Sequence, residues 1–202
     1  MAAAFLALGD SYTIGEGVAR SDAWPAQLAA RLRASGFDPG EPEIIATTGW
    51  TTGELAEAIA TRDPASGRQL VTLLIGVNNQ YRGLPLDDYR REFADLLESA
   101  IGFAGNRVRR VLVVSIPDWG VTRFAAQKGV DADQVAAAID AFNAAACALT
   151  LARGARWHNV TAISRGIARD LLAADGLHPS TAQYTLWAAS LLPEVVKALA
   201  PD

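Results

Sequence analysis

Two short segments, far apart in the 202-residue chain, carry side chains that could act together as a nucleophile and its base. In Asp175-Gly-Leu-His178-Pro179 a carboxylate precedes an imidazole by three residues, so the two side chains can meet on one turn. Ser11 directly follows a short apolar run near the N-terminus. A histidine that takes a serine proton needs its other ring nitrogen held as N–H by an acceptor, which Asp175 could supply. These residue types are suited to nucleophilic catalysis of acyl transfer.

Each segment also has a plain structural interpretation. A bare Asp-x-x-His pair is more often a loop carboxylate beside a helix-flanking histidine, and a serine after a strand usually caps a turn. The segment around Ser11 is not the Gly-x-Ser-x-Gly elbow of the α/β-hydrolases, because Thr13 stands where the second glycine belongs. If the chain is a serine hydrolase, it is therefore one of another kind.

Short apolar runs alternate with longer helical patterns along the chain, which is typical of βα units and a parallel sheet covered on both faces. The predicted strands are 4–8, 43–47, 70–75, 110–115 and 156–160, and the predicted helices are 22–35, 52–61, 87–103, 132–153 and 181–199. Ser21 and Thr52 are predicted N-caps, and Gly36 and Gly154 are expected where helices end. We expect one α/β domain over residues 1–202, folded as a three-layer α/β/α sandwich.

Ligands of such sheets bind beyond the carboxyl ends of the strands. The loops at that edge contain Ser11, Thr48-Gly49-Trp50, Gly76-Val77-Asn78-Asn79 and Pro117-Asp118-Trp119-Gly120. The active site is therefore expected among these loops.

Four segments, in order, resemble the SGNH (GDSL-type) hydrolase family, which is named after a serine, a glycine, an asparagine and a histidine. They are Phe5-Leu-Ala-Leu-Gly-Asp-Ser11, Ala46-Thr-Thr-Gly49, Ile75-Gly-Val-Asn78 and Asp175-Gly-Leu-His178-Pro179, and they span nearly the whole chain. The resemblance implies a flavodoxin-like, five-stranded parallel sheet. It also implies that Ser11 is the nucleophile, His178 the general base and then acid, and Asp175 the residue that orients His178.

The resemblance further implies an oxyanion hole formed by Ser11, Gly49 and Asn78. This fits acyl transfer, because two backbone N–H groups and a side-chain amide could converge on the carbonyl oxygen as it becomes negative. A glycine at position 49 lets the backbone approach the substrate closely. The alternatives are an ordinary turn residue for Gly49 and a loop-capping amide for Asn78.

Two residues depart from the family pattern. Asn79 replaces the usual aspartate after the oxyanion asparagine, and Tyr12 replaces the leucine after Gly-Asp-Ser. The change at position 79 keeps the oxyanion residue but alters the polar groups expected at the pocket edge, and with them the substrate preference. Asp10 is interpreted as a structural hydrogen-bonding residue.

Four residues beside the expected site are candidates for binding substrate, namely Trp50, Asn79, Tyr81 and Trp119. Core packing explains the two tryptophans equally well. The segment 80–83 is expected to form the rim of the site.

Composition argues against several other classes of function. The net charge is −4, from 18 basic and 22 acidic residues, and no dense run of Lys and Arg could follow a nucleic acid backbone. With two histidines and Cys147 as the lone cysteine, a metal site is not expected, and we predict no cofactor. His158 and Cys147 are interpreted as structural residues.

Two apolar segments bear on localisation. The most apolar long stretch, 135–152, is interrupted by Asp140 and Asn143, so no membrane anchor is expected. The N-terminal apolar run has no basic leader, so we expect a cytoplasmic protein.

These observations favour an esterase that cleaves a small-molecule carboxylic ester through an acyl-Ser11 intermediate, with activity that rises with pH as His178 loses its proton. The same triad could instead serve an acyltransferase, a thioesterase or a carbohydrate deacetylase. A catalytically silent, SGNH-like binding module is the alternative from another class. The substrate and the oligomeric state stay open at this point.

Overall fold

The computed structural model describes residues 4–166 and 170–200. Within these ranges five parallel strands form one sheet in the order β2-β1-β3-β4-β5. The strands are β1 (Phe5–Gly9), β2 (Glu43–Ala46), β3 (Leu70–Leu74), β4 (Val111–Val114) and β5 (Arg156–His158). This is the flavodoxin-like order, and it confirms the predicted fold class.

Nine α-helices lie in the described part of the chain. They are α1 (Ser11–Ile14), α2 (Trp24–Ala34), α3 (Thr52–Arg62), α4 (Val77–Tyr81), α5 (Leu86–Phe103), α6 (Arg123–Lys128), α7 (Ala132–Ala152), α8 (Thr161–Arg165) and α9 (Thr181–Leu199). The five long helices were predicted to within two residues at each end. The four short ones, α1, α4, α6 and α8, were not, because four to six residues are too few to display a helical period.

The strand order determines which helices share a face. The chain moves from β1 to β2 in one direction across the sheet and then from β2 to β3, β4 and β5 in the other. Because βαβ crossovers are right-handed, α2 must lie on one face and α3, α5 and α7 on the other. The contacts agree, since α2 packs against α9 while α5 packs against α3 and α7. The three layers place the loops after β1, β2, β3 and β4 at one edge of the sheet.

Both predicted N-caps are wrong. The N-cap of α3 is Thr51, which forms a capping box: its hydroxyl accepts from the Glu54 N–H, and the Glu54 carboxylate accepts from the Thr51 N–H at 2.7 Å. Thr52 is the first helical residue. Ser21 lies in a 3₁₀ turn, and α2 instead begins with Pro25 in its first turn, where a missing N–H costs nothing.

Helix α7 is the most apolar helix in the described ranges. Its 21 residues make it long and apolar enough to cross a membrane by those criteria alone. A core helix of a soluble protein meets the same criteria, and α7 packs against α5 and β5.

Candidate active site

Ser11 stands at the carboxyl end of β1, where the chain turns sharply into α1. Asp10 caps this helix by accepting the Tyr12 N–H at 3.0 Å. Gly9 is required before it, since a Cβ there would collide with the Thr13 hydroxyl oxygen and would lie 2.5 Å from the Leu74 carbonyl oxygen. The turn therefore holds the Ser11 side chain at the sheet edge.

Asp175 organises the loop that carries His178. Its Oδ1 accepts the backbone N–H groups of Leu177 at 2.9 Å and His178 at 3.0 Å, and its Oδ2 lies 2.6 Å from His178 Nδ1. The His178 carbonyl in turn accepts the Ala173 N–H at 2.7 Å, which closes the loop just before α9. Both the backbone and the ring of His178 are thus held by neighbouring residues.

The two segments meet at the sheet edge. His178 Nε2 lies 3.0 Å from Ser11 Oγ, which completes a hydrogen-bonded series from Asp175 through the imidazole to the hydroxyl. With Nδ1–H donated to the carboxylate, Nε2 is free to accept the Ser11 proton. The ring of Tyr12 packs beside the imidazole, with centroids 5.4 Å apart, and His178 is only 8% exposed.

The charge state of Asp175 suits this arrangement. Burial raises the pKa of its carboxyl, but the hydrogen bonds from the His178 ring and from the amides of Leu177 and His178 outweigh burial, and the pKa lies below its ordinary value. The carboxylate is therefore ionised at neutral pH, and it would stabilise the imidazolium that forms when His178 takes the Ser11 proton.

Asn78 lies on α4, which follows β3, and Gly49 lies on the loop that follows β2. Asn78 Nδ2 donates one hydrogen to the Trp50 carbonyl at 2.8 Å, which fixes the amide and leaves its second hydrogen available. Gly49 has φ +85°, a left-handed conformation that favours glycine, and its carbonyl accepts from Arg82 at 2.5 Å. Asn78 lines the same cavity as Ser11 and His178, and Gly49 adjoins it through the Asn78–Trp50 bond.

Helix α4 owes its place to Gly76. This residue has φ +125°, and a Cβ on it would lie 2.6 Å from Cε2 of the buried Tyr89. The glycine two residues before Asn78 therefore lets β3 run directly into the helix that presents the amide.

A cavity of about 180 Å³ opens beside Ser11. It is lined by Ser11, Tyr12, Val77, Asn78, Tyr81, Trp119, Phe124, Leu177 and His178. Away from Ser11, Asn78 and His178 the wall is largely apolar and aromatic. Trp119 is held there by a 2.7 Å hydrogen bond from Nε1 to the Gln80 side chain and by an edge contact with Tyr81, 5.2 Å between ring centroids.

The four predicted substrate-binding residues divide into two pairs. Tyr81 and Trp119 line the cavity. Trp50 borders a separate groove on α3, and Asn79 is buried, bonded to Thr52. Asn79 does not reach the cavity because consecutive residues of a helix point about 100° apart, so Asn78 and Asn79 cannot face the same side.

Four cavity residues were missed by the sequence analysis. Tyr12, Val77 and Leu177 each adjoin a motif residue, so the motifs offered a signal for them. Phe124 lies on the short helix α6, which carried no recognisable pattern.

Two other titratable residues have structural roles. Burial raises the pKa of Asp10 to about 7, while its Oδ1 caps α1. His158 shares a 3.0 Å hydrogen bond with the Ser190 hydroxyl on α9, and burial lowers its pKa. Within residues 4–166 and 170–200 no three His, Cys, Asp or Glu side chains are grouped so that they could hold a metal ion.

Comparison with known proteins identifies the family of this chain. Residues 7–186 match the model of the GDSL-like lipase/acylhydrolase family. No curated protein matches the sequence.

Solved structures share the fold at low identity. The structure of TesA is 21% identical, with a TM-score of 0.72, over 96% of this chain and 99% of that one. A lipase/acylhydrolase from Enterococcus faecalis is 20% identical, with a TM-score of 0.71, over 98% and 97%. The psychrotrophic esterase EstA from Pseudoalteromonas sp., inhibited by monoethylphosphonate, is 16% identical, with a TM-score of 0.70, over 96% and 97%.

Proposed function

This chain belongs to the GDSL-like lipase/acylhydrolase family, and from that premise we propose that it is a serine esterase that hydrolyses small carboxylic esters through an acyl-Ser11 intermediate. The observation that carries the proposal is the hydrogen-bonded series Asp175–His178–Ser11, with 2.6 Å and 3.0 Å between the bonded atoms. This series opens onto a largely apolar cavity, as an ester site requires.

In the first half-reaction, Ser11 Oγ attacks the ester carbonyl carbon while His178 Nε2 takes the hydroxyl proton. The carbonyl oxygen becomes an oxyanion, which the N–H groups of Ser11 and Gly49 and the free hydrogen of Asn78 Nδ2 would stabilise. His178 then gives its proton to the departing alcohol oxygen as the C–O bond breaks, leaving the acyl group on Ser11.

In the second half-reaction, water takes the place of the alcohol. His178 removes a proton from water, hydroxide attacks the acyl carbon, and the proton returns to Ser11 Oγ as the acid is released. The chain's own side chains supply each proton transfer, so the proposed reaction includes no cofactor.

The volume and polarity of the cavity limit the size and charge of the acyl group that it can hold. The cavity is small, about 180 Å³, and its wall is largely apolar. The side chains that line the cavity carry no charge apart from a protonated His178. We propose an uncharged acyl group of short to medium length as the preferred substrate.

The first test compares the wild type with Ser11→Ala on p-nitrophenyl esters from acetate to palmitate, together with fluorophosphonate labelling mapped by mass spectrometry. Ser99→Ala, on α5 and outside the cavity, is the matched control. We expect the label on Ser11, loss of turnover in Ser11→Ala, and unchanged behaviour of Ser99→Ala.

Three results would redirect the proposal. Transfer of the acyl group to added alcohols or thiols in preference to water would identify an acyltransferase, and faster turnover of thioesters or acetylated sugars would identify a thioesterase or a deacetylase. A folded wild type with neither label nor turnover would indicate a silent binding module.

A further inference from the structure

The loop that carries Gly49 is tied to the helix that carries Asn78 at several points. Besides the Asn78–Trp50 and Arg82–Gly49 bonds, Asn79 bonds Thr52 in both directions. It accepts the Thr52 N–H at 3.0 Å and donates to the Thr52 hydroxyl at 2.6 Å. These contacts determine how Gly49 and Asn78, the two proposed oxyanion donors besides Ser11, lie relative to each other.

The Asn79–Thr52 pair sits at the centre of this junction. Asn79 is 1% exposed and Thr52 is fully buried. The Thr52 N–H can only donate, so Asn79 Oδ1 must face it and Nδ2 must face the Thr52 hydroxyl. The hydroxyl therefore accepts from Asn79 and gives its single proton elsewhere, to the carboxylate of Glu92 on α5. The hydrogen bonds run in one direction, from Asn79 through Thr52 to Glu92.

We propose that this Asn79–Thr52–Glu92 chain positions the oxyanion donors Gly49 and Asn78, and that the amide at position 79 is matched to the carboxylate at position 92. The inference rests on the proposed function, because it concerns donors that only acyl transfer would use. Asn79, Thr52 and Glu92 act as positioning residues, since none of them lines the cavity.

The matching follows from a count of protons. Aspartate at position 79 could accept the Thr52 N–H but has no hydrogen to donate to the hydroxyl. Two carboxylates, at 79 and 92, would then compete for the one hydroxyl proton of Thr52. Position 79 is buried whereas Glu92 is exposed. A carboxylate at position 79 without the hydroxyl proton would be unfavourable, and one that took the proton would break the bond from Thr52 to Glu92. In both cases the junction would shift and carry Asn78 with it.

Reversing the direction of the hydrogen bonds among positions 79, 52 and 92 should again satisfy every polar group. In the double variant Asn79→Asp/Glu92→Gln, the new amide at position 92 can donate to the Thr52 oxygen, and the Thr52 hydroxyl can donate to the new carboxylate at position 79. The hydrogen that the amide donates and the hydroxyl proton of Thr52 then each have one acceptor. Asn79→Asp/Asp95→Asn is the matched control, because it removes an exposed carboxylate from the same helix without touching Thr52.

The experiment measures kcat and KM on a short-chain p-nitrophenyl ester, and the melting temperature, for the wild type and these variants. Removal of one oxyanion donor typically costs ~10²–10³ in turnover, so we expect a misplaced donor in Asn79→Asp to cost about tenfold in kcat with KM little changed. Glu92→Gln should lower kcat less than Asn79→Asp does. The double variant should recover most of the kcat and the melting temperature, and the control should recover neither.

Full activity in Asn79→Asp, or a double variant no better than Asn79→Asp, would overturn the inference while leaving the esterase proposal intact. The inference would also be overturned if the double variant and the control both lost kcat in proportion to their loss of melting temperature, because the loss would then reflect stability alone. If the wild type itself hydrolyses no ester, the proposed function fails, and the order of melting temperatures alone decides whether positions 79 and 92 are matched.

Discussion

The Asp175 carboxylate accepts three hydrogen bonds, two from backbone N–H groups and one from the His178 ring. An asparagine at this position could keep the backbone bonds through Oδ1, but its Nδ2 would face His178 Nδ1 as a second donor. The ring would then carry its proton on Nε2 and could not accept from Ser11.

We therefore expect Asp175→Asn to lower kcat by up to ~10⁴-fold, the cost of the wrong tautomer in a serine triad, while the fold stays intact. Steady-state kinetics and thermal melts measure both effects, with Asp95→Asn as the control for loss of an exposed carboxylate. Turnover equal to that of the wild type would exclude Asp175 as the orienting residue.

At the scale of elements, short segments rather than long helices build the cavity wall. Trp119 lies in the 3₁₀ turn Trp119–Val121 after β4, and its bond to Gln80 joins this turn to α4 after the neighbouring strand β3. The indole thus closes the cavity between two loops, and its removal would lengthen the space available to an acyl chain.

Trp119→Ala is expected to raise kcat/KM for a decanoate ester relative to a butyrate ester by about tenfold, or about 1.4 kcal/mol, which is near the lower end of what one methylene contributes in an apolar pocket. Trp157→Ala, on the edge strand β5, is the control, and its chain-length preference should match that of the wild type. An unchanged ratio in Trp119→Ala would show that the acyl group lies elsewhere.

At the scale of the whole molecule, the buried Asp10 carboxyl links pH to global stability. Burial raises its pKa from 3.8 to about 7. Between these values the folded protein keeps a proton that the unfolded chain releases, so this residue's contribution to stability falls as pH rises and levels off above about 7. The full span is about 4 kcal/mol, at about 1.4 kcal/mol per pH unit.

The variant Asp10→Asn would keep the side-chain oxygen that caps α1 but would not titrate. In urea unfolding between about pH 4 and about pH 8, we expect the wild type to lose stability relative to this variant as pH rises. Parallel stability curves for the two proteins would show that Asp10 does not titrate in this range.

The sequence by itself determined the strands, the long helices and the motif residues. Strands buried on both faces read as continuous apolar runs, and β1, β3 and β4 are buried at every position. The Asp175–His178 pair was also visible, because three residues on one turn suffice to join them. Element identity and near-neighbour chemistry are local properties, so they leave local patterns.

Only the tertiary structure decided what these elements bring together. Ser11 and His178 are 167 positions apart, and their 3.0 Å contact depends on the order of the strands. Phe124 reaches the cavity from a helix too short to show a period, and Asn79 bonds Thr52 at the start of α3, which follows a different strand. Such contacts depend on packing between distant segments, which no local pattern encodes, and for that reason the walls of the site and the contacts of Asn79 emerged only from the fold.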